Sequence, residues 1–161
     1  MRRPPAEIKQ DVIAYPAYLH QMAERIGNMR TAFCDRIRAK NPEYDRGRLN
    51  HTIDVNGALA ELIFADYLNC QGVKNTTTLL DRGVDEFDFH VEGGYYIDVK
   101  HVSSRELRVN CKAHRKKNKV THYVFIEPID GYRANYYRVE YRMVDSWQVK
   151  KAITPFYYLE L

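Results

Sequence analysis

Asp88, Asp98 and Lys100 stand in FDFHVEGGYYIDVKH (residues 87–101), where two short apolar runs of strand character flank Gly93-Gly94. Acids and a lysine are poor choices for buried strands, so their register decides what they do. Side chains alternate faces along a strand, and directly opposed residues of an antiparallel pair share a face. With a three-residue turn at Glu92-Gly93-Gly94, Val91 falls opposite Tyr95, Phe89 opposite Ile97 and Phe87 opposite Val99, which makes one side apolar. The other side then holds His90 with Tyr96, Asp88 with Asp98 and Glu86 with Lys100. A two-residue Gly-Gly turn sets Phe89 against Asp98 and spoils both faces, so the three-residue turn is expected. Opposed carboxylates repel, and a divalent cation between them reverses the sign of that interaction. Mg²⁺ takes oxygen ligands and commonly keeps several waters, so two carboxylates make a sensible partial shell. The plain alternative is an exposed sheet face on which Glu86 pairs with Lys100 and the aspartates are hydrated.

Glu61 adds a further acid from outside the hairpin. In ALAELIFA (residues 58–65) it is the only polar side chain. A helix that is apolar nearly all round is buried, and buried carboxylates are rare unless paired or bound to metal. Gly57 and Ala65, a turn to either side, leave room for other groups to approach. The plain alternative is a Glu61 paired with a buried arginine.

The elements that must position these residues read as a mixed α/β domain with a central sheet. Residues 6–39 read as helical with a break near Tyr15-Pro16, NPEYDRGRLN (41–50) as a polar loop, and Ile53–Leu68 as a second helix with Asp54 as its N-cap. The hairpin spans 86–92 and 95–103; HYVFIEP (122–128) is a buried strand ended by proline; YRANYYRVEYRMV and PFYYLEL supply later strands. Tyrosines in these last segments read as sheet packing rather than as platforms for stacking bases. Residues 1–50 are then an N-terminal helical segment of the same domain and 51–161 its core. At 161 residues, 45% apolar and 29% charged, the chain is ordinary for one soluble globular domain. No apolar stretch approaches the roughly 20 residues that span a bilayer, and MRRPPAEIKQD lacks the apolar region of a secretory signal. Cys34, Cys70 and Cys111 have no CxxC spacing and read as reduced thiols of a cytoplasmic protein, not as a zinc site.

Charge is unevenly spread. Residues 103–122 hold seven Lys/Arg (Arg105, Arg108, Lys112, Arg115, Lys116, Lys117, Lys119) against one Glu, and the first fifty residues hold ten against six acids. Such a gradient suits a polyanionic partner, although a charge run is more often simply solvated surface.

Taken together, Glu61 within NGALAELIFADYL, Asp88 ten residues before the triplet, and Asp98-Val99-Lys100 with apolar Ile97 before it resemble the PD-(D/E)XK nuclease superfamily over about residues 51–128. Phe87 stands where many members have proline. Asp85 is a rival for the first aspartate, but it shares parity with Phe87, Phe89 and Val91, which favours Asp88. The resemblance implies a restriction-endonuclease-like, three-layer α/β/α fold with a central mixed sheet and metal-dependent hydrolysis of a phosphodiester. By it, Asp88 and Asp98 hold Mg²⁺ or Mn²⁺ with the Val99 carbonyl and Glu61, and Lys100 orients the attacking water and offsets charge on the phosphorus. A basic residue from a following helix often joins such sites, with Lys112, Arg115 and Lys116 as candidates. The basic run 103–122 would contact backbone phosphates, which gives affinity without sequence information. Ser103 and Ser104 could donate to a phosphate, though two serines ending a strand are usually a cap. His90 is at most a supporting residue. DNA is the expected substrate and RNA the alternative; the small size favours a structure-specific enzyme of junction-resolvase or phage type. Cutting two strands often takes two centres, which makes a homodimer one expected assembly. The competing expectations are a non-cleaving nucleic-acid-binding module of the same fold and a structural α/β protein without nucleic acid.

Overall fold

Strands buried on both faces need a layer on either side. The computed structural model, which describes residues 8–40, 51–77 and 87–161, has both layers. Its elements in chain order are β1 (Lys9–Ala14), α1 (Leu19–Lys40), α2 (His51–Cys70), β2 (Asn75–Thr77), β3 (Phe89–Val91), β4 (Tyr95–His101), β5 (Glu106–Asn110), α3 (Cys111–Lys116), β6 (His122–Ile129), β7 (Arg133–Glu140), a 3-10 helix (Tyr141–Ser146), β8 (Gln148–Lys150) and β9 (Phe156–Glu160). A six-stranded sheet runs β1-β7-β6-β4-β3-β2, and a smaller sheet runs β5-β9-β8. β4 and β6 are parallel and the other pairs antiparallel, so the expected mixed α/β class is present.

Each face of the large sheet has its own core. Ile97 and Val99 of β4, Val124 and Ile126 of β6, and Ala134 and Tyr136 of β7 pack with Ala58, Leu62 and Ile63 of α2 and with Ala23 and Ile26 of α1. Residues of the other parity, Tyr123, Phe125, Tyr137 and Val139, pack with Leu107 and Val109 of β5 and with Val144. The second layer is therefore mainly the small sheet, joined by the short α3 and the 3-10 helix, where a helical layer is expected from the resemblance. Period-two alternation of Leu107 and Val109 makes β5 a strand with one buried face.

Several boundaries differ from expectation for identifiable reasons. Residues 9–14 are a strand, not a helix, because β7 needs an edge partner and Lys9–Ala14 pairs with Arg133–Arg138; the break at Tyr15-Pro16 then separates β1 from α1. α2 begins at His51, so Asp54 lies inside its first turn and accepts a hydrogen bond from Thr31 Oγ1 at 2.6 Å instead of capping the helix. β6 continues past Pro128 to Ile129. Ile126 directs its carbonyl to Val102 on the β4 side at 2.8 Å. Pro128 has the same parity, beyond the end of β4, so its missing N–H costs no ladder bond. YRMV leaves the strand for the 3-10 helix. The loop 41–50 and residues Asp85 and Glu86 lie outside the described residues, so the Asp85 alternative and the Glu86–Lys100 pair do too.

α1 and α2 approach closely at Gly27: a Cβ there would lie 2.5 Å from Val55 Cγ2 and 2.8 Å from the Val55 backbone. Among the described residues no helix is long and apolar enough to cross a membrane. Cys70 and Cys111 are free thiols.

Candidate active site

The hairpin adopts the three-residue turn, with Val91 opposite Tyr95, His90 opposite Tyr96 and Phe89 opposite Ile97. Gly93 and Gly94 take φ of 96° and 82°, values that glycine adopts without a Cβ penalty. Beyond Phe89 the expected pairing stops. The Asp88 N–H donates to the Ile97 carbonyl at 2.9 Å, so Asp88 and Phe89 both oppose Ile97, as in a β-bulge. Parity slips by one. Phe87, expected opposite Val99 on the helix face, instead packs against Tyr96 and the second core, and Asp88 does not sit squarely across from Asp98. The Asp88 carboxylate takes the ladder position that Phe87 gives up, accepting from the Val99 N–H at 2.7 Å. Amide and carbonyl of one strand residue point the same way, so the Val99 carbonyl also faces the gap left by the departing strand.

Glu61 reaches this gap from α2. It is 8% exposed, is hydrogen-bonded by Asp88 and forms an ion pair with Arg30 of α1. The buried-arginine alternative is thus realised, and it coexists with the convergence on Asp88. At Gly57 a Cβ would meet the Arg30 guanidinium at 4.0 Å, an ordinary contact, so the pair does not depend on the missing side chain. Burial pushes the Glu61 carboxyl up, with Arg30 opposing. Burial first, then the charges of Asp98 and Glu61, push Asp88 well above the usual carboxylate range.

Asp98 is 3% exposed and sits between two ammonium groups. Lys117 Nζ donates to Oδ1 at 2.6 Å, and Lys100 Nζ forms an ion pair with the buried Oδ2 at 2.7 Å. Burial raises the Asp98 pKa, but Lys100 and Lys117 outweigh it and hold the carboxyl below its usual range. Burial likewise works against the Lys100 ammonium, yet Asp98 more than compensates, so Lys100 stays protonated.

A network centred on the buried His114 holds the segment carrying Lys117. His114 of α3, 2% exposed, contacts the Tyr123 hydroxyl through Nδ1 at 2.8 Å and Asp145 Oδ1 through Nε2 at 2.9 Å, and its ring stacks on Tyr141 with centroids 4.1 Å apart. The Lys117 N–H donates to the His114 carbonyl at 3.2 Å, and Lys100 Nζ stands 5.8 Å from the centre of the Tyr123 ring. The basic residue that joins the acids from α3 is therefore its C-cap, Lys117, whereas Lys112, Arg115 and Lys116 are exposed. Arg105, Arg108 and Lys119 are exposed as well, with Arg108 paired to Glu106 at 2.8 Å and lying over Phe156. His90 is exposed and stacks on Tyr96. Ser103 and Ser104 lie in the connection between β4 and β5.

Arg30 and His114 escape motif reading. Leu19, Ala23, Ile26 and Arg30 form one stripe at helical spacing on α1, so a cation continuing an apolar stripe is the signal that locates Arg30. No comparable signal links His114 to Asp145, 31 residues away.

Among the described residues no three His, Cys, Asp or Glu side chains form a ready cage for a metal ion. Mg²⁺ commonly takes only one or two carboxylates and completes its shell with water. Asp88 and Asp98 provide hard oxygen donors, and Lys100 and Lys117 hold the buried Asp98 carboxyl below its usual range, in the charged form that a cation needs. In donor chemistry the residues fit. The chain matches no protein-family model, no curated protein and no solved structure.

Proposed function

We propose that this chain is a metal-dependent nuclease of the PD-(D/E)XK type with a restriction-endonuclease-like core, hydrolysing phosphodiester bonds, with DNA as the expected substrate. One observation carries the proposal. β3 leaves the ladder at Asp88, whose carboxylate is bonded to the amide of Val99, the middle residue of Asp98-Val99-Lys100, while Glu61 reaches it from α2. A fold with no use for converging carboxylates gains nothing from desolvating them together.

Asp88 and Asp98 would hold Mg²⁺ or Mn²⁺, which when bound polarises a phosphate and lowers the pKa of a water. The chain's own residues do the rest. Arg30 fixes Glu61 beside Asp88, so that the acid from α2 stays at the gap. Lys100, whose ammonium lies 2.7 Å from Asp98, would orient a water and serve as a positive group toward charge developing on a phosphate oxygen. The exposed Lys112, Arg115 and Lys116 on α3, with Arg105 before β5 and Lys119 after α3, would give phosphate-binding charge.

A second reading, a nucleic-acid-binding module that does not cut, is favoured by the cations already on the acids: Arg30 on Glu61, and Lys100 and Lys117 on Asp98. Incubating the protein with supercoiled, linear and branched DNA in Mg²⁺, Mn²⁺ or EDTA separates the two. The nuclease cuts only with metal and loses roughly a thousandfold or more in rate on Asp98→Ala or Lys100→Ala. Salt-sensitive binding without cutting establishes the module.

A further inference from the structure

Lys117 occupies the carboxylate on which the proposed chemistry depends, and it is held quite differently from Lys100. Lys100 belongs to β4, which lies between β3 and β6. Lys117 caps the six-residue α3 where the chain enters the turn at 118–119. The Lys117 and Lys100 side chains are 19% and 28% exposed, so what distinguishes the two is the element that carries each. Rotation about the lysine stem alone frees the ammonium, while His114 keeps α3 anchored through Tyr123 and Asp145. An ammonium 2.6 Å from Oδ1 and a divalent cation on the same oxygen repel each other at contact distance. Lys117 therefore competes with an ion for Asp98. Once displaced, its positive charge stands at the edge of the gap beside the exposed Arg115 and Lys116, where a backbone phosphate is the complementary group.

We infer that Lys117 is an internal counter-ion that holds Asp98 until a divalent cation and a nucleic-acid phosphate bind together, passing from the carboxylate to the phosphate as the cation takes its place. The inference rests on the nuclease reading and adds to it a positive coupling between metal and nucleic acid. By linkage, each partner raises the affinity for the other by the same factor.

Calorimetric titration of Mn²⁺ into the wild-type chain, Lys117→Met and Lys117→Arg, each with and without a cleavage-resistant DNA duplex, tests it. Without DNA, Lys117→Met binds Mn²⁺ roughly tenfold more tightly than wild type, and Lys117→Arg behaves as wild type. Duplex tightens Mn²⁺ binding roughly tenfold in wild type and leaves Lys117→Met nearly unchanged. The wild-type arm alone decides the coupling should the variant fail to fold. Equal Mn²⁺ affinities in wild type and folded Lys117→Met, or no effect of duplex on wild type, overturn the role of Lys117 and leave the nuclease reading standing. Absence of Mn²⁺ binding by every protein, with or without duplex, overturns both.

Discussion

The two faces of the central sheet each deliver a cation to a buried acid, and they do so by different physics. On the helix face, α1 and α2 pack through an apolar stripe and a close approach at Gly27, and Arg30 arrives at Glu61 as the continuation of that stripe. On the opposite face, α3 is short and carries only Cys111 and His114 buried, and hydrogen bonds and ring stacking through His114, Tyr123, Tyr141 and Asp145 hold Lys117 at Asp98. Apolar packing is broad and tolerant of small shifts, whereas a buried polar network is sensitive to the loss of any member. Arg30 is thus placed by a surface, and Lys117 by a handful of bonds.

Removing a member of the network gives the largest effect on stability. His114→Ala leaves the Tyr123 hydroxyl without its partner and opens a cavity under Tyr141, and is expected to destabilise the fold by about 3 kcal/mol. Urea unfolding measures it, and a loss below about 1 kcal/mol would show that the polar face is held by apolar contacts after all. A somewhat smaller cost is expected on the helix face. Gly27→Ala brings a Cβ within 2.8 Å of the Val55 backbone, which a side-chain rotation cannot relieve. The helices must part, at about 2 kcal/mol net of the helix propensity that alanine adds. Together the two variants rank the faces.

The smallest effect is a pH dependence, and its sign differs between the two acids. Asp88 has a folded pKa above its unfolded value near 4. The folded chain therefore keeps a proton that the unfolded chain has lost, and stability falls as pH rises from about 4 through the raised pKa. Asp98 is the reverse: its lowered pKa contributes stability that is present above about 4 and is lost as pH falls through the folded value. Asp88→Asn cannot ionise, and its amide can still donate to Glu61. Its urea midpoint in metal-free buffer should therefore decline less than that of wild type between about pH 5 and 8. An equal decline in the two proteins would mean that the Asp88 carboxyl is not raised in the metal-free protein.

The same contrast explains what was legible in the sequence. ALAELIFA announces a buried helix with one acid, and Phe89, Val91, Tyr95 and Ile97 announce the register, because periodicity is a local property. The bulge at Asp88 is not legible, because it arises when a side-chain carboxylate competes with a backbone carbonyl for the Val99 amide. Residues 9–14 become a strand only because β7 has an edge to fill. The basic run 103–122 discloses its charge but not its division into β5, α3 and a lysine turned inward, since that division depends on β9, on Asp145 and on the Tyr123 hydroxyl.

Soaking crystals of the protein in Mn²⁺ and mapping its anomalous scattering tests most directly whether the acids form an ion site. A single strong peak between the Asp88 and Asp98 carboxylates, absent from Asp98→Asn crystals treated alike, is the expected result. A map without a peak there at Mn²⁺ concentrations that support cleavage, or with the peak elsewhere and unaffected by Asp98→Asn, would contradict it.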